Sequence, residues 1–137
     1  MQNYQLHVIT NTLFIIALIF FSNVSFAKGL NSEALKALIN DKTVESESAR
    51  GFAAKTYYSP DGSFRKTKRD ESIKGSWYID SDGKLCKKVE GESTASCRLI
   101  VKKGDVWIVY KVPGKPTKPW VHKSTWLKIL DGNPDNL

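Results

Sequence analysis

Residues Gly75–Cys97, GSWYIDSDGKLCKKVEGESTASC, hold both cysteines of the chain, a tryptophan and an acidic D-S-D-G turn. Three chemistries are open to such a stretch: a metal loop, a redox pair, or a disulfide-stapled β-hairpin. D-S-D-G overlays the middle of an EF-hand loop, with Asp80, Asp82 and Gly83 at its third, fifth and sixth positions. The first and twelfth positions then fall on Tyr78 and Val89, which offer no carboxylate, so calcium lacks its two main anchors. A turn accounts for the same residues, because Gly83 tolerates positive φ and Asp side chains bond nearby backbone N–H groups. Ten residues separate the cysteines, unlike the two of a C-x-x-C, which argues against a redox motif.

The chain start settles what two cysteines should do. MQNYQLHVITNTLFIIALIFFSNVSFA, residues 1–27, has no Lys, Arg, Asp or Glu, and carries a nine-residue apolar run from Leu13 to Phe21. Ser25 and Ala27 supply the small residues of a cleavage site, so a secretory signal ending at Ala27 is expected. The apolar run is well short of the ~20 residues that span a bilayer. An exported chain meets an oxidising space, where Cys86 and Cys97 are expected to pair. In the chain-entropy model a bridge over so short a loop stabilises by about 3 kcal/mol. A periplasmic or secreted location is therefore expected.

Past the signal, 110 residues remain, enough for one domain, read as residues 28–130 with a loose tail at 131–137. This part holds all 21 Lys and Arg and all 14 Asp and Glu, for a net charge of +7. The positive residues are spread over RKTKR, KLCKK, VKK and KVPGKPTK, and only a fold that gathers these segments on one face makes a patch.

Asn31 is a good N-cap. Leu30 and Leu35 can form a hydrophobic staple, and Leu35, Leu38 and Ile39 a single stripe, so a short amphipathic helix is expected over Ser32–Ile39. From Gly51 onward the pattern alternates between turn signals. Strands are expected at Phe52–Tyr58, Ser63–Lys68, Ser76–Ile79, Lys84–Glu90, Cys97–Val101 and Asp105–Val112. Val121–Thr125 also alternates, whereas Trp126, Ile129 and Leu130 stand at helical spacing, leaving that last segment open between strand and helix. The fold class is mainly β: an antiparallel meander of six or seven strands curled into a small barrel or bent sheet, with one N-terminal helix and one disulfide. Curling is favoured because a three-residue helical stripe cannot cover a flat apolar sheet.

The succession YYSPDG (Tyr57–Gly62), GSW (Gly75–Trp77), DGKLC (Asp82–Cys86) and CR (Cys97, Arg98) resembles a group of small secreted bacterial proteins with a G-x-W, G-x-L-C and downstream C pattern. The likeness spans about Leu35 to Tyr110; it implies an exported, disulfide-bonded, mostly β domain and supplies no catalytic residues. G-x-W in a β-meander also resembles the lipocalin-like barrels, whose interiors hold small apolar ligands. In those the motif belongs to an opening strand, whereas Trp77 is mid-chain.

No nucleophile elbow surrounds any Ser, and no phosphate-binding Gly-rich loop is present. His122 is the sole His after the signal, and nothing places two carboxylates across a cleft. No catalytic residue, metal ligand or cofactor is therefore expected. Trp77 and Trp107 read as core anchors, while Trp107 and Tyr110 fall on opposite faces of one strand. Trp120 follows the loop KVPGKPTKP, and with Lys115, Lys118, His122 and Lys123 it forms the candidate binding segment, away from the two cysteines. The expected function is a non-enzymatic exported binding domain for a protein or small ligand, with an anionic one allowed by the charge. The alternative is an inhibitor or immunity-type protein that plugs an exported enzyme with this loop. Export makes nucleic acid an unexpected partner, and no stable membrane insertion is expected once the signal is removed.

Overall fold

The structure, a computed structural model, describes residues 29–137. The expected signal, residues 1–27, lies outside the described residues. Helix α1 (Ser32–Ile39) precedes eight strands: β1 (Lys42–Ser48), β2 (Ala53–Tyr58), β3 (Ser63–Lys68), β4 (Glu71–Ile79), β5 (Leu85–Val89), β6 (Ser96–Lys103), β7 (Val106–Lys111) and β8 (Val121–Asp131). Each strand pairs antiparallel with the next, and β8 returns to β1, so the meander closes into a barrel without edges. Curling therefore goes to full closure, with eight strands where the turn signals gave six or seven.

The additional strand is β1, which falls before Gly51, where alternation was expected to begin. Its sequence KTVESES carries a single apolar residue. Beyond Val44, towards the open end, the positions that share its face are Ser46 and Ser48, and both line the interior cavity. A strand whose inward residues are small and polar shows no hydrophobic alternation, which hides it from a pattern search.

The open question over residues 120–130 resolves as strand. Glu45 pairs with Lys128 and Ser46 with Trp126, so Leu127 is an extra residue in the ladder, a β-bulge. The bulge lets Trp126 and Ile129, three residues apart, both serve the core, and it leaves Leu127 exposed. Helical spacing in the sequence was the imprint of this bulge. Beyond β8, Lys55 pairs with Asp135 at 2.9 Å, Arg65 donates to the Leu137 carbonyl at 3.1 Å, and the Asn133 side chain bonds both N and O of Leu137. The segment read as a loose tail is thus held against β2 and β3.

Helix α1 forms over the expected residues, with the Asn31 side chain accepting from Ala34 N at 2.7 Å. It packs on β1 and β4, and Leu35 and Ile39 are fully buried. They join Val44, Tyr58, Phe64, Trp77, Leu85, Ile100, Val109 and Trp126 in one core. This core fills the barrel end at which β1 begins. At the other end, where β1 and β3 finish and β6 and β8 start, the barrel is open.

The G-x-W element has a packing reason. A Cβ on Gly75 would stand 2.1 Å from the Lys88 carbonyl oxygen and 2.9 Å from Phe64 Cε1, so only glycine lets β4 and β5 approach. Two residues on, Trp77 enters the core, donates its indole N–H to the Ser59 carbonyl at 3.0 Å and meets Tyr58 edge-on at 5.7 Å. Asp80 organises the D-S-D-G turn by accepting from Asp82 N at 3.0 Å and Lys84 N at 2.8 Å, with Gly83 at φ 76°. Cys86 and Cys97 stand directly opposite each other on β5 and β6 and form the disulfide.

Candidate functional site

Side-chain alternation fixes what enters the open end of the barrel. On β3, Phe64, Lys66 and Lys68 share one face; on β5, Leu85 and Lys87 do; on β6, Arg98 and Ile100 do. Phe64, Leu85 and Ile100 belong to the core, so the basic residues in step with them also face inward. The barrel thus carries apolar residues towards its closed end and cations towards its open end.

Above the core lies an inner chamber of about 70 Å³, floored by Tyr58, Leu85, Val109 and Trp126. Its walls bring in Lys66, Lys68, Lys87 and Arg98, together with Ser46, Ser48, Thr56 and Ser124. The chamber opens into a wider mouth of about 640 Å³, where Arg50, Arg69, His122 and Lys123 join the lining. No Asp or Glu lines either space. Among the described residues, the ion pairs employ Lys42, Lys55, Lys74 and Lys84, none of which lines the chamber or mouth. Seven cations therefore converge on one cavity without an ionic partner: Arg50, Lys66, Lys68, Arg69, Lys87, Arg98 and Lys123.

The electrostatic strain is largest at Lys87. It retains some accessible surface, yet its ammonium is surrounded by the barrel wall, lying 5.8 Å from the Tyr58 ring and 5.5 Å from the Phe64 ring. Desolvation, then the nearby charges of Lys66 and Arg98, push the Lys87 ammonium down to about 7. Lys66 is also lowered, by desolvation first and by Lys68 second. Burial pushes the Tyr58 phenol up. Arg98 donates to the adjacent Cys97 carbonyl at 2.8 Å, and at the rim the Arg69 guanidinium lies 3.2 Å from the Phe52 ring centroid. Unpaired charge held in a concave, partly desolvated space costs folding energy.

The basic-aromatic segment is divided by the fold. His122 and Lys123 line the mouth. Lys123 is an extra residue in the β7–β8 ladder, where Val109 pairs with Ser124 and Tyr110 with His122. Lys115, Lys118 and Trp120 do not line it; Trp120 is 42% exposed and its ring sits 5.6 Å from that of Tyr110. Lys66, Lys68, Lys87 and Arg98 were not singled out from the sequence. Their signal was parity, since each sits an even number of residues from a core apolar residue on its own strand. Closure of the barrel gathers Lys66, Lys68 and Arg69 of RKTKR with Lys87 of KLCKK.

The one group of potential metal ligands among the described residues is Asp80, Cys86 and Cys97, and both of its sulfurs are committed to the disulfide. Among the described residues no helix is long and apolar enough to cross a membrane. Comparison with protein-family models and with curated proteins gives no match for this chain.

Proposed function

We propose that this protein is an exported, non-enzymatic binding domain that captures an anionic ligand in the open end of its barrel. The observation that carries the reading is the convergence of seven unpaired cations on a cavity lined by no carboxylate. An anion entering this space gains Coulomb attraction from several cations and relieves their mutual repulsion, in surroundings less screened than open water. Serines at positions 48 and 124 add neutral hydrogen-bond donors suited to oxyanions. The apolar residues sit below the cations, so the ligand enters charge first; this differs from a lipocalin-like site for an apolar molecule.

Isothermal titration calorimetry of the purified, oxidised protein with sulfate and citrate tests the proposal. Saturable binding that weakens with ionic strength, and that is lost in Lys66→Met/Arg98→Met, is the expected result. Heats absent for both anions, or unchanged in that variant, would sink the reading.

The alternative, an inhibitor acting through the loop between β7 and β8, is supported by the exposure of Trp120. It predicts that Lys118→Ala/Trp120→Ala abolishes capture of an exported partner. A loop-independent partner would exclude it.

A further inference from the structure

We propose that the ligand carries at least two anionic groups in succession: a terminal oxyanion seated in the inner chamber against Lys66, Lys87 and Arg98, and a second held at the rim by Arg50, Arg69 and Lys123. This rests on the anion-binding reading above and specifies the chemical class that the site accepts.

Three features lead to it. The first is volume. An inner chamber of about 70 Å³ is several times the ~10–15 Å³ that a cavity needs to hold one water. That suits one phosphate- or carboxylate-sized group and is far too small for an acyl chain. The mouth, at about 640 Å³, takes whatever follows that group.

The second is the layering of charge. Lys66 and Lys68 lie two residues apart on one face of β3, about 7 Å along the strand, so the wall is cationic from the chamber up to the rim. Arg69 follows in the β3–β4 turn, with Phe52 beneath its guanidinium. Arg50, between β1 and β2, and Lys123, at the bulge in β8, reach the same mouth from other walls. Charge is thus present at two depths, contributed by different strands.

The third is stoichiometry. A single monoanion in the chamber leaves the rim cations unmatched, whereas a chain of anionic groups meets both levels at once. Linking the groups makes the second contact intramolecular, so affinity rises with chain length without any new protein surface. Short polyphosphates and polycarboxylates share this chemistry, and direct comparison separates them.

The experiment titrates the oxidised protein with orthophosphate, pyrophosphate and tripolyphosphate, and in a second arm with acetate, succinate and citrate. The expected result is at least a tenfold tightening from the shortest to the longest member of one series. In the exposed-residue variant Arg50→Ala/Lys123→Ala that gain should collapse to less than threefold, while Lys66→Met/Arg98→Met weakens every member. Circular dichroism of each variant establishes that the barrel is intact. Equal affinity along both series, or a length gain that survives in the rim variant, overturns the two-level site while leaving simple anion binding standing. No binding in either series overturns both.

Discussion

Lys66 on β3 and Lys87 on β5 line the same inner chamber, and the charge of Lys66 is one of the causes that lower the ammonium of Lys87. Burial of Lys87, together with the charges of Lys66 and Arg98, makes folding stability depend on pH in a defined direction. The Lys87 ammonium falls from 10.5 to about 7 on folding. Between these values the unfolded chain binds more protons than the folded one, so stability rises with pH. Below about 7 the cost of holding the charged amine is fully present; it fades as pH climbs towards 10.5 and is at most on the order of 5 kcal/mol. Lys66 acts in the same sense. Lys87→Met should therefore raise the melting temperature by several degrees at pH 6, with the gap to the wild type closing by pH 10. Thermal melts across that range check it, and a gap independent of pH would contradict the assignment.

Under the anion-binding proposal, ligand affinity should have the opposite dependence. An anion in the chamber favours protonated Lys87, so binding draws in a proton once the pH exceeds about 7. The groups facing Lys87 from neighbouring walls are Lys66 on β3, Arg98 on β6 and the Tyr58 phenol on β2, and no carboxylate lines the chamber to oppose them. Sulfate keeps its charge over the relevant range, so its titration isolates the protein's contribution. We expect about tenfold weaker sulfate binding at pH 8.5 than at pH 6, and a flat profile in Lys87→Met. Calorimetry in buffers of different ionisation enthalpy measures the proton uptake directly.

The strands with apolar alternation were legible in the sequence. Phe64, Leu85, Ile100 and Val109 announce β3, β5, β6 and β7, and the P-D-G and D-S-D-G turns mark where the chain reverses. Helix α1 was legible through Asn31, Leu35 and Ile39. What escaped was the open end. Ser46 and Ser48 in β1 face the cavity and so carry no hydrophobic signal, and the Leu127 bulge gave Trp126 and Ile129 a helix-like spacing. The chamber cations were hidden for a related reason. A lysine in a strand reads as solvent-facing unless its parity with a core residue is compared, and parity becomes decisive only when closure of the barrel defines an inside.

Gly75 offers a test of packing separate from the site chemistry. A methyl group there meets the Lys88 carbonyl oxygen at 2.1 Å, a backbone atom that cannot swing aside, and Phe64 Cε1 at 2.9 Å. Gly75→Ala should therefore destabilise the fold by about 3 kcal/mol, the upper part of the usual overpacking range. Urea unfolding monitored by tryptophan fluorescence measures this. A loss below 1 kcal/mol would mean that β4 and β5 can separate more easily than their register implies.

The disulfide is joined in sequence to the site it was expected to lie away from. Cys86 precedes Lys87 and Cys97 precedes Arg98, and the β5–β6 ladder pairs only Leu85–Arg98, Cys86–Cys97 and Lys87–Ser96. Two mutually repelling cations therefore flank the shortest ladder of the barrel, and the covalent link holds there what three residue pairs alone hold weakly. Removing it should cost about 3 kcal/mol of stability in the chain-entropy model. Because Lys87 and Arg98 are then free to move apart, anion affinity should also fall. We expect Cys86→Ala/Cys97→Ala to bind sulfate at least fivefold more weakly at a temperature where circular dichroism shows the variant fully folded. Unaltered affinity alongside the stability loss would leave the disulfide as a staple of the fold alone and detach it from the positioning of the cations.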